Sequence, residues 1–509
     1  MTDTAPLDVL IVGAGPVGLT AALLFTELGH TVRIVDRRPG PQRAPAAHVL
    51  NARTFEVWRQ IGIDVEAIRT AAQSTADAGR VYWVDRLGGQ VYGWLPYEQQ
   101  GDDQLAVTPT PLRNLSQHHL EPLLLAELRE RGVDVEYGTT WQSQIDHGAH
   151  IESHVAATAD DEPTTEVVPS AWLLACDGAG SAVRVACGIA MDGPDNLQRF
   201  AMVHFRASLD RLVGDDRGVL YWICDPAAGG TLIRHGHDEW VYMSSIDDRT
   251  PAPVDDDAAG TLVQRALADS TVPIEVLRIS RWTMTSQLAQ QYRHGRVLLA
   301  GDAAHRFPPS GGMGLNTGVQ DVHNLGWKLS GVLRGTLDEA VLDTYGAERR
   351  PVAQRNALAS LDNAFRMIEV FQALAAPEHT GLSEAIARQA PHFDMLGLQL
   401  GYRYPADGAA EPLATAPPAE TEVRTYTPSS EPGSRLPHGW VTVHGTTIST
   451  LDLVPLDRHV VIAGPASTLT EPHLRVGRDF DDPHDWWGTT MCLAPDAHVV
   501  VRPDQHIAH

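Results

Sequence analysis

Residues 7–36 read LDVLIVGAGPVGLTAALLFTELGHTVRIVD, and this stretch decides the fold of the larger part of the chain. A short apolar run rich in β-formers at 7–12 is followed by a glycine turn. Residues 17–28 then carry helical spacing, and a second β-rich run closes the stretch at 31–36. Strand, turn, helix and strand in this order make a βαβ unit. The turn, Gly13-Ala14-Gly15-Pro16-Val17-Gly18, is a G-x-G-x-x-G, and Asp36 ends the second strand 18 residues after its last glycine. Gly13 permits the tight turn, Gly15 lets the backbone approach a pyrophosphate, and Gly18 lets the helix pack on the sheet. Pro16 and Val17 open a helix whose N-terminal N–H groups and positive dipole favour an anion, and Asp36 is set to accept from an adenosine ribose hydroxyl. One such unit does not distinguish NAD from FAD.

Outward from this unit the grammar of a parallel sheet continues to about residue 190: helix formers at 120–131, a short run at 133–137, and a buried strand, AWLLACDG, at 171–178. Residues 199–284 change character. FAMVHFRA, GVLYWICD, GTLIRHG and EWVYMSS alternate between Gly/Asp turns and predict an antiparallel sheet, a module inserted into the first. RVLLAGDAAH at 296–305 returns to buried-strand grammar, and 316–333 predicts a long helix. The fold class is therefore α/β. A discontinuous Rossmann-like domain is expected over 1–75, 105–190 and 285–400 with trailing helices, and a mostly antiparallel domain over 76–104 and 191–284. Residues 401–437, rich in Pro, Ala, Glu, Ser and Gly, read as a linker or surface-wrapping arm. Strand-like runs in 438–509 suffice for a small α/β domain.

A chain of 509 residues allows about three domains. With 43% hydrophobic and 20% charged residues it has an ordinary globular composition. The net charge of −25 repels nucleic acid and anionic lipid, and neither is expected as a partner. Four cysteines, Cys176, Cys187, Cys224 and Cys492, form no CxxC. No His/Cys cluster has metal-ligand spacing, so neither disulfides nor a metal are expected and a reducing cytoplasm fits. The apolar stretch Leu7 to Phe25 lacks a preceding basic region and is broken by glycines and a proline, which argues against a signal peptide or membrane span. Asp102-Asp103 and Asp255 to Asp257 read as solvated loops.

Two later segments separate FAD from NAD. They are Ala175-Cys176-Asp177-Gly178-Ala179-Gly180-Ser181 with Arg184, and Gly301-Asp302-Ala303-Ala304-His305 with Pro308-Pro309 and Gly311-Gly312-Met313-Gly314-Leu315-Asn316. With the first motif they stand in the order of the flavin-dependent aromatic hydroxylases, the single-component FAD monooxygenases of the p-hydroxybenzoate and phenol hydroxylase type, which the whole chain resembles. The resemblance implies that Asp302 hydrogen-bonds a ribityl hydroxyl and that Asp177 serves the shared FAD and NAD(P)H region. It implies that Arg43 meets the pyrophosphate and that Gln117, in SQHHLE, lies near the ribityl chain. Arg113 is a further match, and Arg37 is an adenosine-side contact. Gly301, Pro309, Gly312, Gly314, Leu315 and Asn316 complete the expected cofactor set. A helix beginning near Asn316 would aim its amides at the flavin N1/C2 carbonyl, where negative charge builds on reduction.

The segments PGSRLPHGWV at 432–441 and VVVRPDQHIAH at 499–509 resemble the thioredoxin-like domain of phenol and polyketide hydroxylases, here without CxxC and hence without dithiol chemistry. LGYRY at 400–404 resembles the chlorophenol and phenol hydroxylase branch. The resemblance implies that tightly bound FAD, with NAD(P)H and O2 as co-substrates, hydroxylates a phenolic or polycyclic aromatic substrate, polyketides and antibiotics included, through a flavin C4a-hydroperoxide. Epoxidation, Baeyer-Villiger insertion or antibiotic inactivation are alternative outcomes on the same scaffold, and a silent flavin-binding scaffold is the alternative of another class. No WxWxIP or FxGxxxHxxxW segment is present. Tyr221, Trp222, Arg234 and His235 on the inserted sheet, with His48 past the flavin loop, are the substrate-cavity candidates. No general base is assigned, and His305 reads as structural beside the cofactor. A monomer or homodimer is expected.

Overall fold

In the computed structural model, which describes residues 7–157, 165–248, 250–405, 409 and 411–508, the opening unit forms as strand Leu7–Val12, helix Pro16–Glu27 and strand Val32–Asp36. Val9, Leu10 and Ile11 are wholly buried, as a strand covered on both faces requires. This strand sits centrally in an eight-stranded sheet, parallel to Val32–Asp36 on one side and to Thr165–Ala175 on the other. Val297–Leu299 adds in parallel beyond Thr165–Ala175, and Val135–Tyr137 beyond Val32–Asp36.

The strand expected at 171–178 is longer and mixed. It starts at Thr165, and its first half pairs antiparallel with Ile151–Ala157, itself paired with Thr139–Asp146. Only its second half carries the uniform apolar run that buried parallel strands show.

The inserted sheet has seven strands in the order 275–284, 198–206, 239–246, 230–234, 220–223, 80–84, 91–96. All its pairs are antiparallel except Leu220–Ile223 with Arg80–Val84. Period-two alternation sends Tyr82, Tyr221, Leu232 and Tyr242 to one face, under helix Asp256–Arg265, and Val81, Trp83 and Trp222 to the other, toward Met367 and Phe393. Asp255 and its neighbours are not a loop: Asp255 caps that helix by accepting from Ala258 N, and Asp256 and Asp257 sit in its first turn, where acids complement the dipole.

The helix expected from 316 begins three residues earlier, as Met313–Leu333, because left-handed Gly312 serves as its N-cap. It lies on Pro16–Glu27 across two glycines. A Cβ at Gly318 would stand 2.5 Å from Val17 Cγ2, and one at Gly326 2.3 Å from Leu24 Cδ2. Helix Asp343–Ala375 follows and backs this pair.

Residues 436–507 enclose their own core around Val441, Ile462, Trp486 and Val501. They are fastened to the first domain by buried charge: Arg435 and Arg53 flank Glu56, and Arg502 reaches Glu348. All four cysteines are unpaired, and among the described residues no helix is long and apolar enough to cross a membrane.

Candidate functional site

The carboxyl ends of strands Leu7–Val12, Val32–Asp36 and Thr165–Ala175 open onto one cavity of about 260 Å³, lined by Gly13, Gly15, Asp36, Arg37, Asp177 and Gly178 among others. In open α/β sheets, ligands bind in this place. The three glycines of the turn do three different things. Gly13 has φ of 103°, and a Cβ there would lie 2.2 Å from the Cys176 carbonyl oxygen; at Gly18 a Cβ would lie 1.9 Å from the Gly13 oxygen. Gly15 has no atom within 4 Å of that position. Its bare face is a cradle, floored by the N-terminus of Pro16–Glu27, which has no side-chain cap and so leaves its amides for an anion.

Asp36 is buried at the cavity edge. Its Oδ2 accepts from Ala14 N at 2.7 Å, its Oδ1 accepts from Arg38 N at 2.7 Å, and it pairs with the Arg38 guanidinium. Arg37 is exposed on the cavity wall. Arg38, which the sequence reading left out, ties Asp36 to wholly buried Glu121. The signal available was the Arg-Arg pair after the strand, but nothing local tells which arginine turns inward. Asp177 keeps one half-satisfied carboxylate here: Oδ2 accepts from Val183 N, while Oδ1 is buried without a protein partner, and burial pushes its carboxyl up. Gly178 and Gly180 present open space where a Cβ would point.

Gly301, also at positive φ, receives Val17, so the GD motif abuts the first glycine turn. Asp302 reaches solvent although the surrounding protein pushes its carboxyl up by desolvation. A Cβ on Gly314 would be 3.8 Å from Asp302 Oδ1, which places the start of Met313–Leu333 beside the same carboxylate. Gly312 closes a turn on the Pro309 carbonyl and leaves the first amides of that helix, at Met313, Gly314 and half-buried Leu315, without a side-chain cap. The Asn316 side chain is committed to the protein. Its Oδ1 accepts from Asn51 N and Thr54 Oγ1, and its Nδ2 donates to the carbonyls of Val49 and Gly312. It is the buckle that fixes the glycine loop to the segment after His48. His305 is wholly buried, 2.6 Å from Asp321 Oδ2, while Asp321 Oδ1 accepts from Arg349 Nε.

Arg43 is exposed, without an ion-pair partner among the described residues. Gln117 starts helix Gln117–Glu130, its backbone N–H held by the Ala47 carbonyl and its amide donating to Glu121. Arg113 spends its guanidinium on the Gln100 and Leu112 carbonyls.

The substrate-cavity candidates separate into groups. Tyr221 lies in the core under helix Asp256–Arg265, stacked on Tyr82, its hydroxyl donating to the Asp216 carbonyl. Arg234 is paired with Asp77 and Asp210. Trp222 faces the opposite side, edge-on to His392, and its indole Nε1 and His392 Nδ1 are buried without protein partners. His48 and His235 meet, ring centroids 5.5 Å apart. Burial pushes the His48 imidazole down to about 4, and His235 lies well below its usual value through burial and the neighbouring His48 and His118. Next to them His118 and His204 both contact Glu239, whose carboxyl is held well below the carboxylate range by those contacts although burial works the other way. The expectation of no metal-ligand spacing concerned local sequence; the fold gathers these histidines from separate segments.

FAD fits the site on three observations: the open face of Gly15 over an uncapped helix start, the orphaned Asp177 oxygen, and the second uncapped helix start at Gly312 beside Asp302. A family model described as an FAD binding domain matches residues 6–360. The chain is 31% identical to 2,4-dichlorophenol 6-monooxygenase of Delftia acidovorans, covering 98% of this chain and 94% of that protein. It is 31% identical to tetracenomycin A2 monooxygenase-dioxygenase of Streptomyces glaucescens, over 99% and 93%. The crystal structure of the flavin-dependent monooxygenase PieE in complex with FAD and substrate superposes with a TM-score of 0.89 at 28% identity, over 99% of this chain and 96% of that one.

Proposed function

The chain belongs to the FAD-binding-domain family of flavin-dependent monooxygenases, and from that premise we propose that it hydroxylates a phenolic or polycyclic aromatic compound, with NAD(P)H and O2 as co-substrates. The observation that carries the reading is the pair of uncapped helix starts, at Gly15 and Gly312, that converge on Gly301 and Asp302. FAD, when bound, supplies the hydride acceptance and oxygen activation that no side chain can provide. The residues of this chain bind and orient. The amides at Gly15 would receive the pyrophosphate, and Asp36, Arg37 and Asp177 would border the adenosine side. Asp302 would hold the ribityl chain, and the amides after Gly312 would face the part of the ring that gains negative charge on reduction.

The aromatic substrate is set between this loop and the inserted sheet. Met395 abuts Gly311, and Phe393 packs on Trp83 and Tyr97, so residues 393–395 join the glycine loop to the sheet face that carries Trp222. Such an apolar wall excludes water from the reacting ring. His48 and His235, neutral at physiological pH, can accept a hydrogen bond from a phenol hydroxyl and draw density onto the ring. Four unpaired cysteines suit a reducing cytoplasm. The test is turnover under isotopically heavy O2. One heavy oxygen atom in a ring-hydroxylated product supports the proposal, whereas a lactone or ring-opened product would move the chain to another oxygenation chemistry.

A further inference from the structure

Two adjacent imidazoles on one domain and a carboxylate on the other meet where helix Gln117–Glu130 touches the inserted sheet. His118 and His119 lie in the first turn of the helix, and Glu239 opens strand Glu239–Ile246. His118 Nε2 is 2.9 Å from Glu239 Oε1, and His119 Nε2 is 3.6 Å from Oε2. One ligand atom from each residue falls within 4.8 Å of the other two. Around a tetrahedral zinc ion with bonds of ~2.0 to 2.1 Å, ligand atoms stand ~3.3 Å apart. The two histidine–carboxylate separations bracket that value, and the two imidazole nitrogens lie within 4.8 Å of each other.

We propose that His118, His119 and Glu239 form a site for a divalent transition metal of the zinc class, with water in the fourth position, that clamps the FAD-binding domain to the inserted sheet. Three features beyond proximity support it. The ligands are already oriented: Ser116 Oγ lies 2.8 Å from His118 Nδ1, which leaves Nε2 for the metal, and His204 Nε2 steadies Glu239 Oε1 at 2.7 Å. The charge is right. Glu239 is largely buried, and its ion-pair partners among the described residues are all histidines, with no lysine or arginine to neutralise it. A path exists as well, since His119 is 44% exposed while His118 is 9% exposed. A second His/Glu group, His147, His150 and Glu152, sits exposed on a hairpin, where His147 and His150 stack on each other and each contacts Glu152. It serves as the control.

The test uses full-length, FAD-loaded protein freed of metal by chelation, dialysed against Zn2+ and assayed for bound zinc. His147→Ala protein, with the hairpin group broken, is expected to retain one tightly bound equivalent. Adding His119→Ala or Glu239→Gln should remove it, and adding Ser116→Ala should weaken it by about 10- to 100-fold. Co2+ in place of Zn2+ should give the visible absorption of a tetrahedral site in His147→Ala protein and not after His119→Ala is added. His119 is half exposed, so its removal should leave flavin content unchanged, which separates loss of a ligand from loss of folding. The proposal is overturned if His147→Ala protein holds no zinc, or if it holds as much after either ligand substitution as before.

Discussion

Gly13 runs so close under Cys176 that a Cβ on the glycine would stand 2.2 Å from the Cys176 carbonyl oxygen, while two residues on, at Gly15, the same atom would meet nothing within 4 Å. The two glycines are therefore required for different reasons, one by the sheet and one by the ligand. Gly13→Ala should destabilise the fold by at least ~1–2 kcal/mol, from the left-handed backbone alone, and the clash adds to this. Gly15→Ala, at φ of −74°, should leave the melting temperature of flavin-free protein unchanged and lower the affinity for FAD. Melting curves and flavin titration on both variants check this. Equal loss of stability in both would contradict the division of roles.

Asp302 reaches solvent and makes no ion pair with the described residues, so its removal should not disturb packing. Asp302→Ala is expected to fold and to lose flavin occupancy by the ~1.5–3 kcal/mol that a hydrogen bond to a charged group supplies. Bound flavin per chain after gel filtration is the readout. Full retention would refute the assignment.

Glu56 is the pivot between the first domain and the carboxyl-terminal unit. It is wholly buried, paired with Arg53 at 3.0 Å and with the Arg435 guanidinium, and it accepts from Thr108 Oγ1. Glu56→Ala leaves two buried guanidinium groups uncompensated and should cost ~3–5 kcal/mol. Chemical unfolding with separate probes for the two units should show the carboxyl-terminal unit releasing first. An unchanged midpoint would mean that the apolar contacts alone hold it.

Several histidines are buried neutral, which sets the response to acid. Burial holds His48, His392 and His438 down to about 4 and His323 to about 3. Unfolded, each takes up a proton near pH 6.5. The unfolded chain therefore binds more protons as pH falls below ~6.5. Stability is full above that value and declines until the folded groups themselves titrate. The melting temperature should fall progressively over this interval, and less steeply in His438→Gln, whose imidazole meets Ser449 Oγ in the carboxyl-terminal unit. A flat profile would contradict the burial of these rings.

The parts of the site legible in sequence are those whose chemistry is local. Gly13, Gly15 and Gly18 carry a backbone requirement that only glycine meets, and Asp302 follows a strand end within a fixed motif. Placement by tertiary contact was not legible. Arg37 and Arg38 are adjacent and chemically equal, and it is the pairing of Arg38 with Asp36 and with Glu121, on another element, that turns it inward. Asn316 belongs to the glycine motif, yet its side chain is consumed by Asn51, Thr54 and Val49. Trp222 and Tyr221 are neighbours on one strand, and period two sends them to opposite faces. The histidines around Glu239 come from two domains, so no spacing along the chain could announce them.

Aromatic hydroxylation is tested by following NADH and NADPH consumption by the FAD-loaded protein, with and without a panel of phenols, naphthols and aromatic polyketides, while measuring hydrogen peroxide released. At least one aromatic compound is expected to accelerate consumption with little peroxide, the mark of oxygen transferred to that compound. A protein that binds FAD yet consumes neither nicotinamide faster with any of them, or that returns all the reducing equivalents as peroxide, would contradict it.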